Sequence, residues 1–261
     1  REGLADQGLQ FIRKRNEQGS LYFVTNLGSE TGNLPADLTA REPYVMVTDP
    51  LTGYAYSTSA NDLRLDLKPG KSLLLQTMNR TPDIPTKSAA SAADTLVINS
   101  SWEVSFTGLG DDDLREVYKI DTLTPWTEWP DTLLQYFSGK ATYETSFEVL
   151  SGRSASRCIL QFDQIAETAD VYLNGERLGT IWSFPNEIDV PPHIVQAQNY
   201  LKIVVQNVSA NHMRQYDLEN PGWKKFYDIN FVDITYTPFD ASKWKPVTSG
   251  LAGGVKLLSY P

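Results

Sequence analysis

The feature that most constrains this chain is a strict alternation of apolar and polar side chains. Leu63, Leu65 and Leu67 are each separated by one charged residue, and the run ends at Pro69-Gly70. The longest example has Tyr143, Phe147 and Val149 on one face. Its other face carries only polar residues, namely Thr142, Glu144, Ser146 and Glu148. A period of two residues is that of a β-strand with one buried face, so the pattern predicts an all-β, antiparallel protein.

Turn residues separate the predicted strands. Apolar runs at 21–27, 44–49, 54–58 and 71–77 are short, and Pro50 to Gly53 joins the middle two. Strands this short and this closely spaced predict an antiparallel β-sandwich in residues 1–80.

The clearest hairpin signal is Asn174-Gly175, which lies between two alternating runs, because a type I′ turn needs positive φ at both positions. Residues 199–208 read as another strand. Helical periodicity is scarce, and only LREVYKI at 114–120 and the stretch 130–136 are assigned a helical turn or two.

A change of composition marks the domain boundary. Residues 81–93 contain Pro82, Pro85 and the run SAASAA, with too few apolar side chains to build a core. We therefore predict a linker at 81–93 between a β-sandwich domain at 1–80 and a second β-sandwich domain at 94–261.

Charge excludes two classes of partner. The formal net charge of -9 disfavours nucleic acid and membrane surfaces, which attract clustered Lys and Arg. No apolar run reaches the length of a membrane span, and the start at Arg1 indicates a trimmed fragment. The one cysteine, Cys158, lies in a strand-like run and is predicted to be buried.

Motifs for cofactor or metal chemistry are missing. The two histidines, His193 and His212, have no metal-ligand spacing, and no nucleophile elbow, dinucleotide loop or phosphate loop occurs. With 32 acidic residues, a pair of glycosidase carboxylates cannot be judged by inspection. The run Asp111-Asp112-Asp113 is a candidate structural calcium site, although a solvated loop is the favoured interpretation.

Tryptophans supply the candidate ligand contacts. Trp126 and Trp129 suit either sugar stacking or burial, and burial is favoured. Trp182 is either a ligand contact or a core residue that closes the sheet, with core slightly preferred, and Trp223 is evenly balanced between ligand contact and packing. The candidate ligand-binding residues are Asn174, Trp182, Asn186, Glu187 and Trp223.

Three motifs in the second half resemble the galactose-binding-like jelly roll of large glycoside hydrolases, the sugar-binding type also found in glycoside hydrolase family 2. They are F-S-G-x-A-x-Y at 137–143, A-x-V-x-x-N-G at 169–175 and N-x-L-x-I-x-V at 199–205, in the family's order. The usual N-x-x-N-R ending of this jelly roll is replaced here by NVSANHMRQYD.

Most of the chain, above all residues 126–208 and less so the linker and residues 216–244, resembles the C-terminal region of α-L-rhamnosidases of glycoside hydrolase family 106. The segments 11–28, 47–56 and 65–77 are similar to the sandwich that follows the catalytic barrel, and SGLAGGVKL at 249–257 is similar to the terminal strand. The resemblance places the barrel upstream of Arg1, so it assigns no catalytic residue and no cofactor to this chain.

The resemblance implies a non-catalytic accessory or carbohydrate-binding region of a secreted or periplasmic enzyme of polysaccharide breakdown. Its partners would be a glycan or the catalytic barrel of the same parent chain. A free-standing glycan-binding or protein-interaction module is the alternative, and a complete glycosidase is the least favoured one.

Overall fold

Strands dominate the chain, as the alternating pattern predicts. The computed structural model describes residues 2–29, 32–84, 94–108, 116–149, 155–223 and 239–260. Within these ranges it contains 17 β-strands and two α-helices. Every strand pair among the described residues is antiparallel, which confirms the all-β antiparallel class. None of the described helices is long and apolar enough to cross a bilayer.

Contacts divide the chain into two units, and the first comprises Arg1–Ala93 and Ser183–Pro185. The first unit contains α1 at Gly3–Asp6 and seven strands: β1 Gln10–Arg15, β2 Ser20–Thr25, β3 Gly32–Pro35, β4 Tyr44–Thr48, β5 Ala55–Ser59, β6 Arg64–Leu67 and β7 Ser72–Met78. A five-stranded sheet has the order β1-β2-β7-β4-β5, and β3 pairs with β6.

The core of the first unit follows from the alternation. Leu63, Leu65 and Leu67 are almost fully buried while Arg64 is exposed. They pack with Tyr22 and with inward residues of the five-stranded sheet, as a sandwich requires.

The second unit comprises Asp94–Trp182 and Asn186–Pro261. It contains ten strands: β8 Asp94–Val97, β9 Trp102–Gly108, β10 Val117–Ile120, β11 Gly139–Glu148, β12 Arg157–Ala166, β13 Thr168–Leu173, β14 Glu176–Ile181, β15 Glu187–Val190, β16 Gln198–Gln206 and β17 Gly250–Tyr260. Helix α2 spans Ala210–Glu219, and short 3-10 helices span Trp126–Glu128, Thr132–Gln135, Pro192–Ile194 and Ala241–Lys243.

Two sheets face each other in this unit, with the orders β10-β9-β11-β16-β13-β14 and β15-β12-β17-β8. One hydrophobic cluster fills the space between them. The fold is therefore the predicted jelly-roll sandwich, and Cys158 is buried in it as predicted.

Trp126 and Trp129 are core residues, which confirms the burial interpretation. They are 0% and 7% exposed, and both pack edge-to-face on Phe106 with centroids 5.5 and 5.9 Å away. Phe137 completes the cluster at 5.2 Å from Phe106. Since the ring faces are covered, this pair offers no stacking surface to a sugar.

Local predictions had mixed outcomes. Asn174 and Gly175 have φ of 53° and 85°, which confirms the positive-φ hairpin. The helical turn near residue 132 is also confirmed, as Thr132–Gln135. The helical assignment of LREVYKI is wrong for Val117–Ile120, because this segment pairs with β9.

Candidate functional site

The exposed end of β14 is the first part of the candidate site. The strand ends at Ile181, which is buried, and the next side chain, Trp182, is 62% exposed. Since neighbouring residues of a strand point to opposite faces, Ile181 takes the inward position and Trp182 points away from the core. The core interpretation of Trp182 is therefore wrong.

Asn186 supplies a polar group beside that ring in sequence. Its carbonyl accepts a hydrogen bond from the Phe162 amide at 2.8 Å, which ties the end of the loop to β12. The residue is only 8% exposed, and its Nδ2 has no hydrogen-bond partner among the described residues. An unpaired buried donor costs about 1–3 kcal/mol. Because the protein encloses this nitrogen, the role of Asn186 as a ligand contact stays a prediction.

Glu187 follows directly as the first residue of β15. It pairs in register with Gln161 of β12 and is half-buried. Trp182 and Asn186 therefore lie in the short connection from β14 to β15, and Glu187 begins β15. The intervening Ser183–Pro185 is grouped with the first unit.

Asn174 has a structural task in the hairpin. Its Nδ2 donates to the carbonyl of Ile194 at 2.8 Å and to Oδ1 of Asn199 at 3.0 Å. Its Oδ1 accepts from the amide of Tyr200 at 2.8 Å. The polar atoms of this side chain are thus engaged inside the fold, and we leave Asn174 out of the proposed site.

Trp223 belongs to the region after α2. Its Nε1 donates to Oδ1 of Asp217 at 2.5 Å, and its ring packs edge-to-face with Tyr216 at 5.3 Å. The side chain is half-buried, so it combines packing with some exposed surface. Its role as a ligand contact stays a prediction.

One exposed tryptophan was missed by the sequence analysis. Of the six tryptophans, only Trp182 and Trp244 are more than a third exposed, at 62% and 43%. Trp244 lies in the polar run SKWKP, and the lysines on both sides are the signal that would have marked it as exposed.

Five carboxyl groups of the described residues can be judged as candidates for a general acid. Their pKa values are shifted, and all five shifts are downward: Glu2, Glu42, Asp163, Asp170 and Asp240. The backbone amide of Gly254 lowers the pKa of Asp163, and the hydroxyl of Thr180 lowers that of Asp170. A glycosidase acid needs a raised pKa, so none of these five suits that task.

No cluster that suits a metal ion occurs in the part of the chain that the structure describes. The predicted calcium candidate, Asp111 to Asp113, lies outside the described residues. The structure therefore assigns no ligands to a cation.

A family model described as "Glycosyl hydrolase 2 galactose-binding domain-like" matches residues 97–241. A putative β-glucuronidase of Formosa agariphila is 27% identical over 139 residues, which are 52% of this chain and 12% of that protein. The solved rhamnosidase of Novosphingobium sp. PP1Y matches with a TM-score of 0.69 at 20% identity. This match covers 95% of the present chain and 23% of the rhamnosidase chain, so both relatives are much longer than the region they share with it.

Proposed function

The chain belongs to the glycosyl hydrolase 2 galactose-binding domain-like family, and from this premise we propose that it is a non-catalytic carbohydrate-binding accessory region of a larger glycoside hydrolase. The parent enzyme would act in polysaccharide breakdown and would be periplasmic or secreted. In this proposal the second unit contacts the glycan, and catalysis belongs to another domain.

The observation that carries the proposal is the ring of Trp182, which is 62% exposed. An indole face stacks well on the C–H face of a pyranose ring. Most of the Trp182 side chain is exposed to water, so a ligand that covers the ring would gain binding energy from the burial of apolar surface.

An α-L-rhamnosidase-like parent is our finer proposal. It is supported by the fold likeness to the rhamnosidase, which extends over 95% of this chain and thus over both units. The similarity to a putative β-glucuronidase also supports a parent enzyme that hydrolyses glycosides, although the name of that relative indicates a glucuronide and not a rhamnoside as substrate. Catalysis outside this chain is supported by the five carboxyl groups with lowered pKa values.

A glycan array followed by titration calorimetry tests the proposal. We expect Trp182→Ala to weaken glycan binding about tenfold, because a stacked ring contributes roughly 1–2 kcal/mol. Val117→Ala is the matched control, since Val117 is a 54% exposed apolar residue on the edge strand β10. The assignment of Trp182 would be refuted if the wild-type chain binds no glycan, or if both variants bind glycan as tightly as the wild-type chain.

Hydrolysis assays separate the accessory role from a complete glycosidase. The chain should not cleave aryl rhamnosides, galactosides or glucuronides. Turnover that survives repurification and disappears on substitution of a carboxylate in this chain would overturn the non-catalytic assignment.

The catalytic barrel of the same parent chain is a second partner that we propose, for the first unit. Ile12 and Phe23 face each other across β1 and β2 and are 65% and 39% exposed. Leu74 of β7 continues this row on the same face. An exposed apolar row of this kind is suited to contact a neighbouring domain. The match covers 23% of the rhamnosidase chain, so 77% of that chain lies outside the region that resembles this protein.

Gel filtration of this chain with the parent's catalytic domain tests the second partner. The proposed contact would be supported if the two proteins form a complex and the double substitution Ile12→Lys, Phe23→Lys abolishes it. If no complex forms, the alternative of a free-standing module is favoured instead.

A further inference from the structure

Helix α2 fixes the segment 241–247 through three polar side chains. Asn211 forms two hydrogen bonds with the backbone of Val247. Its Nδ2 donates to the carbonyl of Val247, and its Oδ1 accepts from the backbone amide of Val247, both at 2.7 Å. Nε of Arg214 donates to the carbonyl of Trp244 at 2.9 Å. The amide of Ala241 donates to Oδ2 of Asp217 at 2.7 Å. We call Asn211, Arg214 and Asp217 the polar clamp.

The polar clamp has a regular register. Each step of three residues forward along the helix, from 211 to 214 to 217, matches a step of three backward along the segment, from 247 to 244 to 241. The helix and the segment therefore run antiparallel, with an anchored backbone group at each step. Asn211 and Asp217 are 3% and 5% exposed, so their bonds are shielded from water and are costly to break.

The clamped segment contributes little to the core. Within 241–247 only Ala241 is buried, whereas Lys243, Trp244 and Lys245 are exposed. The ring of Trp244 packs edge-to-face with Phe239 at 5.5 Å and still leaves 43% of its surface in water. The clamp thus holds an exposed ring in a fixed position, which is the preorganisation that a binding surface requires.

Lys243 and Lys245 lie on either side of Trp244 in the sequence. Lys243 pairs with Asp240 at 3.2 Å, and its side chain is 84% exposed. Lys245 forms no ion pair with a described residue. The carboxylate of Asp217 is buried and accepts from the N–H groups of Trp223 and Ala241. Two lysines therefore flank the exposed ring in the sequence.

We propose that Trp244, between Lys243 and Lys245, is a second carbohydrate contact and that it binds an acidic sugar, such as a uronic acid residue. The indole face would cover the C–H face of the sugar ring, and the ammonium groups would bind its carboxylate. The proposal rests on the carbohydrate-binding function proposed above, but not on the role of Trp182.

Titration of the full chain with trigalacturonate, and with a neutral trisaccharide of galactose as the matched ligand, tests the proposal. We expect trigalacturonate to bind more tightly than the neutral sugar, and we expect its binding to weaken as salt screens the charges. Lys245→Glu and Trp244→Ala should each weaken trigalacturonate binding about fivefold to tenfold.

Lys14→Glu makes the same charge change on β1 of the first unit and should leave the affinity unchanged. Lys245→Glu remains informative if Trp244→Ala fails to fold, because Lys245 is exposed. The proposal is overturned if wild-type chain does not bind trigalacturonate, if the neutral sugar binds equally well, or if Lys14→Glu weakens binding as much as Lys245→Glu.

Discussion

Trp126 and Trp182 are the same residue type in opposite environments, at 0% and 62% exposure. We expect Trp126→Ala to lower the free energy of unfolding by about 3–5 kcal/mol, because it removes a ring from the centre of a packed cluster. Trp182→Ala should change it by less than about 0.5 kcal/mol. Urea unfolding of both variants measures the difference, and equal losses of stability would contradict the burial that separates them.

Asp163 makes stability depend on pH. Its Oδ2 accepts from the amide of Gly254 at 2.7 Å, and Lys256 Nζ lies 3.2 Å from Oδ1. The backbone hydrogen bond from Gly254 lowers the carboxyl pKa below its usual 3.8. A lowered pKa in the folded state gives stability that is present above the unfolded pKa and is lost as pH falls through the folded pKa.

Asp163→Asn should therefore melt at a slightly lower temperature than wild type at neutral pH, and the two melting curves should converge in acid. The effect is small because the side chain is 47% exposed and solvent screens its charge. Thermal melts from neutral to acidic pH measure it. A gap between the two proteins that widens on acidification would contradict the assigned sign.

At single positions the sequence predicted burial better than exposure. Cys158 lies in an apolar run, and Trp126 and Trp129 were expected inside because tryptophan is usually buried; all three are buried. Trp182 was slightly preferred as a core residue because tryptophan is usually buried, yet the strand had already placed Ile181 inward. The unpaired amide of Asn186 depends on the packing of β12 against the loop, and no local pattern contains that information.

Helix α2 shows why a helix can be missed when helices are predicted from the spacing of apolar residues. The side chains that it directs at its neighbour are Asn211, Arg214 and Asp217, so no apolar stripe of period 3.6 exists to be detected. The strands, in contrast, bury Leu, Val, Tyr and Phe at alternate positions, and their pattern is visible in the sequence.

The polar clamp on α2 can be tested as an element. Asn211→Ala should destabilise the protein by about 2 kcal/mol, because it leaves the amide and carbonyl of Val247 without their partner. The amide of Val247 should also exchange faster with solvent, measured by hydrogen exchange. Gln215→Ala on the same helix removes only an exposed bond to Glu219 and is the control. Unchanged exchange at Val247 would show that the clamp does not hold the segment.

For the whole molecule, the division into two domains by a linker at residues 81–93 remains a prediction. Limited proteolysis should cut first within residues 81–93, because this stretch has few apolar side chains to bury it. Mass spectrometry of the fragments locates the cut. First cleavage within β11, Gly139–Glu148, would contradict the predicted boundary.

The fold class could be predicted from local patterns, whereas the order of strands in the sheets could not. Hairpins such as β13–β14 are encoded by neighbouring residues, including Asn174-Gly175. The pairing of β8 with β17 joins Val97 to Lys256, and no local signal brings such distant segments together. The family resemblance supplied the jelly roll because it contains this long-range information.

The position of β17 in its sheet sets an order of events during protein synthesis. This last strand of the second unit lies between β12 and β8 and pairs with both. While the ribosome is still adding the residues before Gly250, β8 lacks its partner and one edge of β12 is open. The unit therefore completes its fold only after β17 has left the ribosome, and until then the apolar strand β12 is a natural target for chaperones.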